Sequence, residues 1–223
     1  MLPTIVWKMH KFGTINIHAS LLPDYRCAST INCAIINGES YTGVTSFFID
    51  DKIDTGEIIM QEEVLIAKDE IVGTLHNKLM SVGGKLVVKT ARLIEQSNVK
   101  TTVQPKNDFK VAPKIYPETC RIDWEDSLDN IYNLIRGLNP YPTARTLLYN
   151  DTTEIQTKLY DIDKEFQKHP YKTGQIIIDK NELKVAVKNG FIIINSLQLS
   201  GKRRMESANL LNGFKFHKSA TFR

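Results

Sequence analysis

The sequence predicts an α/β protein in two parts, with strands around one long helix over residues 1–98 and a β-rich region over 114–223. Three observations carry this reading. An apolar stripe of helical period fills residues 69–96, an aperiodic stretch rich in Pro, Asn, Lys and Thr follows at 97–113, and hairpin signals dominate the remainder. The 223 residues are 42% hydrophobic and 24% charged, a globular balance that excludes disorder and fibre. Apolar runs such as residues 191–194 fall far short of the roughly 18–20 residues that a membrane helix needs.

Residues 13–19, Gly-Thr-Ile-Asn-Ile-His-Ala, alternate with period two, so Ile15 and Ile17 share one strand face and Asn16 and His18 the other. Residues 30–37 read as a helix that Gly38 ends as a left-handed cap. Residues 44–49 and 57–66 read as strands around the turn 50–56. The long helix is predicted over 69–96, with Asp69 and Glu70 at its start, Ile71, Leu75, Leu79, Val82 and Leu86 on its stripe, and Gly83-Gly84 weakening its middle. The boundary falls in the next segment, giving domains 1–98 and 114–223 joined by a linker over 99–113. Beyond it, residues 126–136 form an amphipathic helix that ends at Gly137 and is broken by Asn139-Pro140-Tyr141-Pro142. Residues 183–187 and 191–199 flank Lys188-Asn189-Gly190, a hairpin signal, and 174–178 precede them as a strand. Several short strands in succession predict a small barrel or sandwich, and 203–211 a short terminal helix.

The formal charge of +4 is unevenly spread. Residues 1–100 carry 10 basic against 11 acidic side chains, and residues 101–223 carry 19 against 14. The basic excess of the second half fits a polyanion partner or a solvated lysine surface. The N-terminus has no basic start with a long apolar stretch behind it, and Cys27, Cys33 and Cys120 are too few and irregular for a disulfide framework. A cytoplasmic, reduced location is expected.

Asn16 and His18 lie two residues apart on one strand face, and Asp54 sits on a turn that ends in Gly56, a geometry able to bring a carboxylate toward an imidazole. Acyl or formyl transfer needs a donor for the developing oxyanion, a group that handles a proton near neutrality, and a carboxylate that orients it. Asn16, His18 and Asp54 supply one of each; a polar strand face with a turn Asp also occurs as plain structure. No persuasive Ser or Cys nucleophile motif is present, which argues for direct attack by an amine. His10, His76, His169 and His217 form no metal-ligand motif, so no metal is expected.

The run Asn16-Ile17-His18-Ala19-Ser20-Leu21-Leu22-Pro23-Asp24-Tyr25-Arg26, followed by Thr42-Gly43-Val44-Thr45 and Ile53-Asp54-Thr55-Gly56, resembles the catalytic core of the folate-dependent formyltransferases, those acting on methionyl-tRNA above all. The likeness continues through Gly73-Thr74-Leu75, Tyr116-Pro117-Glu118, Ile122-Asp123-Trp124, Ile135 to Pro142 and Leu199 to Met205, and so covers essentially the whole chain. It implies part of a Rossmann-like formyltransferase domain followed by a C-terminal OB-like β-barrel domain that helps hold tRNA. It also implies that Asn16, His18 and Asp54 are catalytic, and that Ser20, Leu21, Leu22 and Pro23 contact tetrahydrofolate. The implied reaction passes the formyl group of 10-formyltetrahydrofolate to the amine of methionine on initiator tRNA.

Family members carry a segment ahead of the point matched by Met1, which forms the first strands and helices of the Rossmann half. Without those units a parallel sheet leaves apolar faces uncovered, so instability or association with another chain is expected. Where the family has Gly-Ala-small-Pro after the arginine, this chain has Cys27-Ala28-Ser29-Thr30, and Cys33 stands where a bulkier side chain is common. Glycine there would serve a backbone conformation or close approach that Cys27 resists. Two other readings stand beside transfer to methionyl-tRNA: an inactive fragment with weak tRNA binding, and a formyltransferase acting on a nucleotide sugar or glycinamide ribonucleotide.

Overall fold

The computed structural model describes residues 3–105 and 109–223. Residues 106–108 of the expected linker, and the first two residues of the chain, lie outside the described residues. The chain divides into two units, Met1–Ala34 with Glu39–Lys114, and Ile35–Gly38 with Ile115–Arg223.

The first unit opens with a single helical turn, α1 (Thr4–Trp7), and the strand β1 (Ile15–His18). β2 (Arg26–Cys27), α2 (Thr30–Ile36, whose last two residues count with the second unit), β3 (Tyr41–Phe48), β4 (Ile58–Leu65), α3 (Val72–Glu95) and β5 (Val111–Ala112) follow. β3 is the centre of a three-stranded sheet ordered β1-β3-β4. Both of its pairings are antiparallel, in place of the parallel pairing expected, and for β3 and β4 the reason is chain length. Only the loop after Phe48 and before Ile58 joins them, short of the dozen or more residues of a parallel crossover.

α3 packs on β3 and β4 through Val72, Leu75, Leu79, Gly83, Leu86 and Thr90, a spacing of three and four that makes one continuous stripe. The helix starts at Val72, three residues later than expected, because Ile71 is extended and the Glu70 carboxylate accepts the Ala67 N–H and pairs with Lys78. Those contacts hold the Glu70 carboxyl below its ordinary value against the opposing effect of burial. Gly83 lies in the stripe against Ile17 and Val44, and the helix runs through it unbroken.

Residues read as linker are tied into this unit. Thr102 bridges Ile58, Gln104 is buried, and Val111 and Ala112 pair in parallel with Arg26 and Cys27. Cys27 sits at φ +90° and Tyr25, two residues before it, at +57°, both in the left-handed region that side chains resist.

The second unit begins with a 3-10 turn, Pro117–Cys120, and α4 (Leu128–Gly137). Ser127 caps α4 by accepting the Asn130 N–H at 3.1 Å, so the helix starts two residues later than expected and Gly137 is its last residue. The strands are β6 (Ala144–Asn150), β7 (Thr153–Phe166), β8 (Ile176–Asp179), β9 (Glu182–Val187), β10 (Gly190–Leu199), β11 (Met205–Glu206) and, after α5 (Ser207–Leu211), β12 (Thr221–Phe222). They form one antiparallel sheet ordered β12-β6-β7-β10-β9-β8, with β11 on β10. The Gln175–Thr221 bridge brings the segment ahead of β8 to β12 and curls the sheet on itself, consistent with a barrel-like domain. Its interior holds Ile131 and Ile135 of α4 with Leu148, Leu159, Leu183, Ile192 and Leu197. Trp124 stacks on Phe222 at 5.6 Å between ring centres and donates its indole N–H to Thr146.

Two expectations move here. The terminal helix begins at Ser207, not 203, because Met205 and Glu206 pair with β10. In the β9–β10 hairpin Val187 pairs with Gly190, so the turn residues are Lys188 and Asn189, and Asn189 supplies the left-handed φ of +62°. Gly190 serves close approach instead: a Cβ there would lie 2.2 Å from the Glu165 carbonyl oxygen on β7.

Gly190→Ala is therefore expected to destabilise the protein by about 3 kcal/mol in urea unfolding followed by circular dichroism; a loss within experimental error would contradict the register. Cys27→Gly should act in the opposite sense. Relief of a left-handed side chain is worth about 1–2 kcal/mol, and the added freedom of glycine in the unfolded chain returns about 0.4–1, leaving a net gain of about 0.5–1 kcal/mol in the same experiment.

Candidate active site

His18 is the last residue of β1 and its side chain is buried. Its Nε2 lies 2.9 Å from the carbonyl oxygen of Tyr25, a group that only accepts, so Nε2 carries a proton. Nδ1 faces Asp54, with Oδ2 at 3.8 Å, within ion-pair range and too long for a hydrogen bond. The ring stands edge-on to Phe47 at 6.4 Å. The structure thus brings together the imidazole and the carboxylate that the sequence placed 36 positions apart.

Asp54 is held by its backbone as well as its side chain. It takes a left-handed φ of +55°, and its Oδ2 accepts the Cys27 N–H at 3.1 Å. Two residues on, Gly56 lies against β3 so tightly that a Cβ would meet the Phe48 carbonyl oxygen at 1.6 Å. The turn ahead of it is closed locally, with Thr55 Oγ1 donating to Asp50 and the Lys52 N–H donating to Asp50 Oδ1.

Asn16 and Asp54 line one cavity of about 360 Å³, whose apolar walls come from Trp7, Phe47, Ile49 and Ile53. Asn16 is exposed, and its Oδ1 accepts the Ile17 N–H at 2.9 Å, which leaves the side-chain NH₂ as the end that can donate. The site so far has a donor and a carboxylate in the wall of one concave pocket, with the buried imidazole facing that carboxylate from behind.

The Ser20–Leu21–Leu22–Pro23 segment is braced from below. Thr45 Oγ1 donates to the Ser20 carbonyl at 2.6 Å and accepts the Leu22 N–H at 3.1 Å. Gln61 Nε2 adds bonds to the Leu22 carbonyl and to Thr45 Oγ1. The Leu22 side chain is buried with Phe47 and Ile58, and Leu21 packs where Gly43 leaves room. Ser20 is fully buried, and its hydroxyl donates to the Asp24 carbonyl within the same loop. What the segment can present to a ligand is therefore backbone and apolar surface.

Tyr25 anchors the far end of the loop. Its N–H donates to the Lys110 carbonyl and its hydroxyl to Glu39, which also pairs with Lys110. Burial raises the Glu39 carboxyl, but hydrogen bonds from Lys110 and Tyr25 outweigh it and hold the group below its ordinary value. The sequence patterns single out neither Gln61 nor Gln104. Both are polar side chains in segments whose period gives no cue to their direction, and their partners lie 39 and 78 positions away. Among the described residues no group of three or more His, Cys, Asp or Glu could hold a metal ion. No helix among them is long and apolar enough to cross a membrane.

Comparison with known proteins places this geometry in context. Residues 1–91 match the formyl transferase family and residues 114–215 the formyl transferase C-terminal domain. The methionyl-tRNA formyltransferase of Flavobacterium johnsoniae is 52% identical over 221 residues, which cover 99% of this chain and 70% of that protein. That of Phocaeicola vulgatus is 47% identical over 222 residues, covering 96% and 68%. Among solved structures, HypX from Aquifex aeolicus in complex with tetrahydrofolic acid superposes with a TM-score of 0.68 at 18% identity, over 99% of this chain and 40% of that one, a likeness of fold. With both family models matched in order and relatives near half identical along its whole length, the chain belongs to the methionyl-tRNA formyltransferase family.

Proposed function

We propose that the chain transfers the formyl group of 10-formyltetrahydrofolate to the amino group of methionine on initiator tRNA, with Asn16, His18 and Asp54 as its catalytic residues. The observation that carries the reading is the His18–Asp54 pair at 3.8 Å, with Asp54 and Asn16 lining one cavity. The names of the relatives support a tRNA acceptor, and the tetrahydrofolic acid bound to HypX supports a folate donor.

Attack of the neutral amine on the formyl carbon makes a tetrahedral oxyanion. The Asn16 NH₂ donates to that oxygen, and the charge it stabilises exists only once the bond has begun to form. The attacking nitrogen then holds a proton it must lose, and the departing folate nitrogen needs one. His18 can take the first at Nδ1, because Nε2 already spends its proton on Tyr25. A proton on Nδ1 lies against the Asp54 carboxylate, which stabilises the imidazolium until that proton passes to the departing folate nitrogen as its bond to the formyl carbon breaks. The Ser20 to Pro23 segment supports the folate ring by backbone and apolar contact, since the Ser20 hydroxyl is already bonded within the loop. The second unit, with the basic excess of its sequence, supplies phosphate contacts to the tRNA.

His18→Ala and Asp54→Ala are each expected to abolish formyl transfer to methionyl initiator tRNA, while filter-binding affinity for the tRNA stays nearly unchanged. A His18→Ala protein as active as its parent would sink the assignment. Around Lys202, Arg203 and Arg204 the charges are not equivalent, because Arg204 donates to Ser196 and lies 4.4 Å over the Tyr160 ring. Replacing Lys202 and Arg203 by Ala should weaken tRNA binding more at low salt than at high, lowering the slope of log K against log salt by about 0.7–0.9 for each phosphate no longer neutralised. An unchanged slope would remove this segment from the tRNA footprint.

A further inference from the structure

Gln104 is buried, and all four hydrogen-bonding positions of its side-chain amide are filled. Nε2 donates to the carbonyl oxygens of Asp54 at 3.1 Å and Gly56 at 2.7 Å. Oε1 accepts from Arg26, from Nε at 3.2 Å and from Nη2 at 2.6 Å. The amide can face only one way, because a guanidinium has donors alone and a carbonyl has acceptors alone. Arg26 is itself buried, with its guanidinium 4.3 Å over the Phe109 ring.

We propose that Gln104 is the positioning residue of the site, setting the His18–Asp54 separation by fixing the backbone that leaves Asp54, at its own carbonyl and at that of Gly56. Two tethers run from β2 to the same turn. Cys27 holds the Asp54 carboxylate through its N–H, and Arg26 holds the Asp54 and Gly56 carbonyls through Gln104. Asp54 is left-handed and so has an intrinsic tendency to relax its backbone, and the carbonyl contacts oppose that motion. Without them the carboxylate retains its bond to Cys27 but loses its fixed approach to Nδ1 of His18.

Gln104→Glu isolates the effect, since a carboxylate keeps a partner for Arg26 and removes both donors to the turn. The histidine ring-nitrogen resonances of the protein, with that of His18 assigned from the His18→Ala variant, read the contact without turnover. Asp54→Ala is expected to displace the His18 resonance, Gln104→Glu to displace it in the same direction, and Gln104→Glu added to Asp54→Ala to displace it no further. The kinetic readout rests on the formyl-transfer reading: kcat falls by about tenfold or more, while KM for the folate donor stays within about threefold. An unmoved His18 resonance overturns the inference, as does a further displacement in the Asp54→Ala background, which would show action by another route. A parent that transfers no formyl group overturns the functional reading, and the resonances still decide the role of Gln104. Where Gln104→Glu does not fold, Gln104→Asn, one methylene too short to reach both partners, is read in its place by the same criteria.

Discussion

The parallel pairing of Arg26 and Cys27 with Val111 and Ala112 is the constraint on which the site rests. It is only two residues long, yet it joins parts of the chain more than eighty positions apart, and both tethers from β2 to the Asp54 turn start from it. Within that pairing Cys27 takes a left-handed backbone and donates its N–H to the Asp54 carboxylate. Arg26 can reach Gln104 only because residues beyond α3 return along β2. Loop closure over such a separation costs entropy, and the short ladder alone does not repay it. Further bonds around the ladder are the Tyr25–Glu39–Lys110 network and the Arg26–Gln104 bonds from side chains, and the Ala28 and Ser29 N–H groups on the Ala112 carbonyl from the backbone.

The departure at Cys27 thereby acquires a physical meaning. A glycine would adopt φ +90° without cost, whereas cysteine stores strain at the position whose N–H grips Asp54. The strain is tolerated because the hydrogen bonds on either side leave the backbone no alternative. The same bonds keep the tether in place whichever side chain occupies the position, since the donor is a backbone group.

Legibility in the sequence follows the range of the interactions involved. α3, the β3–β4 pair and the β9–β10 hairpin are readable because each is specified by a local period or turn, and the candidate residues stand out by type, Asn16 and His18 by strand alternation and Asp54 by its turn. β7 is not legible as a strand, although it is the longest in the protein. Its sequence, Thr-Glu-Ile-Gln-Thr-Lys-Leu-Tyr-Asp-Ile-Asp-Lys-Glu-Phe, buries only Thr157, Leu159 and Ile162, so its pattern is that of a mostly solvated ribbon. Gly190 misleads by its neighbour: its place beside Asn suggests a turn, while the structure uses its missing side chain to admit the β7 backbone. Residues 97–105 lack periodicity for a related reason. They are held by single contacts to distant partners, Thr102 to Ile58 and Gln104 to Arg26, and such contacts leave no repeat in a sequence.

The arrangement also explains how a site with few polar groups can be both fixed and reactive. The tethers use backbone groups of Cys27, Tyr25, Asp54 and Gly56 and the filled amide of Gln104, so Nδ1 of His18 and the NH₂ of Asn16 take no part in holding the site. His18 spends Nε2 on Tyr25 and leaves Nδ1 toward Asp54, and Asn16 spends Oδ1 on Ile17 and leaves its NH₂, the two groups that the proposed transfer would use. Ser20 is turned wholly inward, which gives the loop above it a rigid, weakly polar surface. Preorganisation of this kind moves the cost of ordering from the moment of reaction to the moment of folding, where the sheet, α3 and the returning segment meet it together.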